Sequence, residues 1–129
     1  MSHFSEIKTS LRNQQHLVAA LKNLGWQVEE AESGVDVRGY FGAVQRADLK
    51  IATDTHYDIG FAKDATGNFQ VVGDWELLPK VSGIEQSAFL NQVKREYARA
   101  SVLAIAKEKG LEVSCEEHEG VLEMVVTQW

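Results

Sequence analysis

Apolar residues along the chain repeat in two periods, and each period predicts a different kind of element. Leu17, Val18, Leu21 and Leu24 share one face at helical spacing. Thr9, Ser10 and Asn13 stand ahead of them as N-caps, and Gly25 follows as a left-handed terminator. A longer stripe runs through Phe89, Leu90, Val93, Tyr97, Ala100, Leu103 and Ala104 and stops at Gly110, with Lys94, Arg95, Arg99 and Lys107 largely off it. Pro79 marks the end of segment 75–78, and Ser82 with Glu85 three residues on matches a capping box for this second helix.

The other period is two. Residues 4–8 predict a short strand, and Trp26 and Val28 open another after the first helix. Val35 and Val37 alternate with Asp36 and Arg38, so a hairpin is expected across residues 30–34. Ala47, Leu49 and Ile51 alternate with Asp48 and Lys50; Tyr57, Ile59 and Phe61 alternate with His56, Asp58 and Gly60. After a turn at 64–68 come Phe69, Val71 and Val72. Leu111, Val113 and Cys115 alternate with Glu112, Ser114 and Glu116, and an acidic turn leads to 121–127, which is apolar on both faces and predicts a central strand. Segment 39–46 fits no period, because Gly42 interrupts Tyr40, Phe41 and Val44; it reads as a loop or short edge strand.

Two amphipathic helices and a mostly antiparallel sheet predict an α+β two-layer sandwich, both helices covering one face. Residues 1–129 contain no linker long enough to separate domains, so one domain is expected. Each helix is followed by a predicted hairpin, which admits an old duplication of a β-α-β-β unit.

A chain of 129 residues removes roughly two-thirds of its unfolded surface from water on folding, enough for a core without staples. The single cysteine, Cys115, cannot form an internal disulfide, and a reducing compartment is its simplest home. In a strand pattern it should be buried and inert. The net charge of −6 and pI near 5.2 repel phosphate backbones, with no local run of Lys or Arg to offset them, so nucleic-acid binding is disfavoured. The longest aliphatic run, 102–106, is far short of the ~20 residues that span a bilayer, and the first residues lack the apolar region of a targeting segment.

The polar constellation that could carry chemistry is Asp54, His56 and Asp58. A spacing of two would place all three on one face of an extended strand, where carboxylates flanking an imidazole could bind a divalent metal or serve acid/base work. The plainer reading is the solvent face of a strand whose other face holds Tyr57, Ile59 and Phe61. His3, beside Phe4, could meet His56 across the sheet; His16 and His118 read as surface residues. The clusters Glu29, Glu30, Glu32 and Glu116, Glu117, His118, Glu119 read as solvated turns, because neither has the ligand pattern of a calcium loop. No phosphate loop or nucleophile elbow occurs, and no cofactor is implied. Trp26, Trp75, Trp129, Tyr40, Phe41, Tyr57 and Phe61 should mostly be core. Any on the face opposite the helices would form a partner surface, and Tyr57, Phe61 and Trp75 are the expected contacts.

Residues 1–9 (Met-Ser-His-Phe-Ser-x-Ile-Lys-Thr), Tyr57-Asp58-Ile59-Gly60-Phe61, Tyr97-Ala98 and the final Trp129 together resemble the hypothetical chloroplast open reading frame 35 family of cyanobacteria and algal plastids. The likeness runs nearly end to end. It implies a photosynthetic source, a soluble location in cytosol or plastid stroma, a complete chain ending at Trp129, and no assigned activity or catalytic residue. Three functions are therefore expected in turn. The first is a non-catalytic binding or assembly module that holds a protein partner or a second copy. The alternative is a small hydrolase-like enzyme, metal-dependent or acid/base, using Asp54, His56 and Asp58 with His3. A sensor holding a small apolar ligand or pigment between sheet and helices is the third.

Overall fold

The computed structural model describes residues 4–127, so His3 and Trp129 lie outside the described residues. Five antiparallel strands, β1 (Ser5–Lys8), β2 (Val28–Arg38), β3 (Val44–Ala52), β4 (Asp58–Lys63) and β5 (Phe69–Gly73), form one sheet in the order β1-β5-β4-β3-β2. Helices α1 (Gln14–Asn23), α2 (Leu78–Ser82) and α3 (Gln86–Lys109) accompany it. Strands β6 (Glu112–His118) and β7 (Val121–Thr127) pair only with each other.

α1 begins where Asn13 accepts the His16 amide at 3.0 Å and ends before Gly25 at φ 92°. It buries Leu17, Ala20 and Leu21. Leu17 and Leu21 meet the face of the sheet made by Leu49, Ile51, Ile59, Phe61, Phe69 and Val71. The register stacks them, with Leu49 opposite Phe61 and Ile51 opposite Ile59. The first half of α3 adds Phe89, Leu90 and Val93 to the same core, and Trp75 and Leu78 close its end. Past Tyr97, α3 buries only Ala106. That half packs along α1 instead: the Tyr97 hydroxyl accepts the amides of Asn13 at 3.0 Å and Arg12 at 3.3 Å. His16 is half-buried rather than on the surface, edge-on to Tyr97 and 3.0 Å from Ser101 Oγ. The helices therefore cover one sheet face, as the apolar stripes predict, and also pack on each other.

Several expectations are corrected. No hairpin forms at 30–34: β2 is one strand of 11 residues whose register against β3 slips between Glu30 and Val35, with Gly34 at φ 88°. The slip re-aims the strand. Val28 faces the helix-side core, whereas Val35 and Val37 build a second cluster with Ala47, Phe4 and Ala62. A Cβ on Gly60 would lie 2.3 Å from Val37 Cγ2, so that strand crossing requires glycine. Gly39 rests against the Phe4 ring, and Gln45 donates to Glu6 at 2.8 Å. The sheet thus curls until its two ends approach each other.

Pro79 lies in the first turn of α2 rather than ending a segment. Ser82 makes no capping box: its hydroxyl donates to the Leu78 carbonyl at 2.6 Å and accepts from the Ile84 amide, and Glu85 is the N-cap of α3. Segment 121–127 is not central. With β6 it forms a detached hairpin turned at Glu119 and Gly120, both at positive φ, leaving Val121, Val125, Val126 and Cys115 exposed. Arg95 holds it to α3 by pairing with Glu117 at 2.9 Å and donating to the Gly120 carbonyl at 3.2 Å. Because this hairpin stays out of the main sheet, the second helix-hairpin unit does not mirror the first, and the duplication finds no support in the fold.

Candidate functional site

Asp58 opens β4 and its side chain is wholly buried. Its carboxylate accepts Arg38 Nε at 2.9 Å, Arg38 Nη2 at 2.8 Å, the Arg38 backbone amide at 2.9 Å and Lys50 Nζ at 3.1 Å. Lys50 also pairs with Glu29 at 3.3 Å. Burial alone would push the Asp58 carboxyl upward; the hydrogen bonds from Arg38 and Lys50 outweigh it and hold the carboxyl below its ordinary value. The same bond raises the Arg38 guanidinium. This is a bidentate, charge-assisted clamp, and it fixes Arg38 at the end of β2.

The residues before Asp58 are not extended. The Thr53 hydroxyl donates to the Tyr57 carbonyl at 2.6 Å, Tyr57 donates its amide to Thr55 Oγ1 at 3.0 Å, and Asp54 takes φ 63°. That knot of threonines turns the chain, so Asp54 and His56 are exposed while Asp58 points inward. The expected single face of Asp54, His56 and Asp58 does not exist. Spacing of two aligns side chains only where the backbone stays extended. Among the described residues, the group whose metal-binding atoms converge is elsewhere: Glu116, His118 and Glu123 on the detached hairpin, within 4.8 Å of one another and all exposed.

Two of the three expected partner contacts are also displaced. Phe61 is fully buried and Trp75 lies in the same core, 6.0 Å from the Phe89 ring, because both face the helices. Tyr57 is half-buried and does reach the surface.

It does so beside segment 39–46. Gly39 donates to the Ala43 carbonyl at 2.8 Å and Ala43 to the Tyr40 carbonyl at 3.0 Å, closing a 3₁₀ turn at Tyr40–Gly42 before β3 begins. Phe41 sits in this turn at φ 53°, a left-handed conformation that costs a non-glycine residue about 1–2 kcal/mol. Its side chain is 90% exposed and touches Tyr40 edge-on at 4.7 Å. Between this turn and the Tyr57 loop lies a cleft of about 710 Å³, lined by Arg38, Tyr40, Phe41, Val44, His56 and Tyr57 together with Gly39 and Gly42. That volume is within the usual range of ligand sites. Arg38, Tyr40, Phe41 and Val44 escaped the sequence reading as site residues. The available signal was Gly39 and Gly42 framing two adjacent aromatics.

The cleft can grip an apolar side chain with aromatic walls and offers Arg38 and His56 as polar groups at its edge. None of the described helices is long and apolar enough to cross a membrane. Residues 20–125 match the family model described as "Protein of unknown function (DUF1257)". An uncharacterized protein ycf35 of Guillardia theta is 30% identical over 100% of this chain and 98% of its own length. That of Cyanophora paradoxa is 29% identical with the same coverage. No solved structure matches. With the family model spanning most of the sequence and such relatives aligned from end to end, the chain belongs to the DUF1257 family, the group of the ycf35 proteins.

Proposed function

We propose that the protein is a non-catalytic binding module that takes an apolar side chain of a protein partner into the cleft between the Tyr40–Gly42 turn and the Tyr57 loop. The observation that carries this reading is Phe41, 90% exposed in a conformation that costs energy. A large aromatic held out in a strained turn, its ring edge-on to Tyr40 but 90% exposed, gains little from burial within the monomer, and such features concentrate at interaction sites. Exposed Val44 and half-buried Tyr57 extend the apolar wall, and the Asp58 clamp keeps Arg38 in place beneath it.

The enzymatic alternative draws less support. Asp58 is already committed to Arg38 and Lys50, and Asp54 and His56 are turned apart from it.

The test is selection of displayed peptides on the full chain, followed by calorimetry of the winners against wild type and Phe41→Asn. Asparagine accepts the left-handed backbone, so this variant keeps the turn and removes only the ring. Selected peptides should share an aromatic or large aliphatic anchor and bind the variant about tenfold more weakly or worse. Peptides that bind both proteins alike would refute the assignment of the cleft.

A further inference from the structure

The opposite end of β2 presents a different surface. β2 is the last strand in the sheet order, so among the described residues one row of its backbone N–H and C=O groups has no neighbouring strand. Glu29, Glu30, Ala31, Glu32 and Ser33 are all exposed. Between Glu30 and Val35 the pairing with β3 also lapses. α1 runs alongside this edge, and two recesses of about 370 and 560 Å³ follow the seam, meeting where Gln14 donates to Glu30 at 3.3 Å. Glu30, Glu32 and Asp48 line the smaller without any cation; Val18 and Ala19 give the larger an apolar wall.

We infer that this edge and seam form a second binding surface, one that accepts an extended, lysine- or arginine-rich peptide segment as an added strand of the sheet. The backbone that neither β3 nor Arg46 takes up, Arg46 donating to the Ser33 carbonyl, supplies the hydrogen bonds of strand addition, and the recesses take alternate side chains. Charge decides the partner. Two copies of this edge pairing antiparallel about residue 31 would bring Glu30 of each opposite Glu32 of the other, and like charges directly opposite destabilise a strand pair. A cationic strand instead meets Glu30 and Glu32 on the α1 side, where Lys22 lines the seam, while Arg46, beyond Glu32, is tied to Asp36 and the Ser33 carbonyl. The surface stands whether or not the cleft at Arg38 holds a partner.

The probe is a labelled peptide of about ten residues alternating valine and lysine, long enough to run along the exposed part of β2. Fluorescence anisotropy is measured on the full chain, with an alternating valine and glutamate peptide as control. The lysine peptide should bind saturably and more weakly as salt is raised, and the glutamate peptide should not bind. Reversal of Glu30→Lys with Glu32→Lys should weaken binding about tenfold. Glu112→Lys with Glu116→Lys, on the detached hairpin, should leave it unchanged. N-methylation of alternate peptide amides should abolish it, which attraction between charges alone would not do. The inference is overturned if the lysine peptide fails to bind at millimolar concentration, or if the methylated peptide or the Glu30/Glu32 variant binds as well as its parent. Light scattering that shows the chain dimerising through this edge would also overturn it.

Discussion

Replacing Asp58 by Asn removes one charge from the buried clamp while keeping its shape. Wild-type Asp58 accepts three hydrogen bonds from Arg38 and one from Lys50. Charge-assisted bonds are worth about 1.5–3 kcal/mol each and are not additive. Breaking a buried pair by losing one partner costs about 3–5 kcal/mol. Here the Arg38 side chain is 44% exposed and regains water, so its share is small; Lys50, 17% exposed, regains much less. The expected loss is therefore about 3 kcal/mol, a large part of the ~5–15 kcal/mol that holds a domain together. At about 4 °C per kcal/mol for a chain this size, Tm should fall by about 12 °C in calorimetry at pH 7.

The pH dependence supplies a second arm. The folded Asp58 carboxyl titrates below its unfolded value, so its contribution is fully present above about pH 4 and is lost as pH falls through the lower folded value. The gap in stability between wild type and Asp58→Asn should narrow as pH drops below about 4. A Tm within about 2 °C of wild type at pH 7, or a gap that stays constant to low pH, would refute the reasoning that the clamp fixes the end of β2.

Gly60→Ala should destabilise the protein by about 1–3 kcal/mol in denaturant titration, because the new methyl meets Val37 and Ala47 where the curled sheet crosses itself. Tyr97→Phe keeps the ring on His16 but removes the acceptor for the Arg12 and Asn13 amides, so a loss of about 1 kcal/mol is expected, with faster hydrogen exchange at the start of α1.

Much of the architecture was legible in the chain. The stripe Leu17, Leu21 and the stripe Phe89, Leu90, Val93 mark the faces that pack, Gly25 and Gly110 mark where helices stop, and the alternations through Leu49–Ile51 and Ile59–Phe61 mark the core side of the sheet. These are local signals: burial of one face leaves its period in the residues of that same element.

What tertiary structure decided are the relations between elements. The slip in β2 turns Val35 and Val37 to the second face, and alternation on either side of it looks the same whether a hairpin or a bulge intervenes. Segment 121–127 carries apolar residues on both faces, yet exclusion from the sheet leaves three of its valines in water, since a strand's own pattern does not name its neighbours. Asp58 looked like one of three alternating polar residues. Its role depends on Arg38, twenty residues away, which only the curl of the sheet brings to it. Periodicity records how one element divides its faces between core and solvent. Which side chains meet across the fold is settled when several elements fill the same space, and no single segment encodes that.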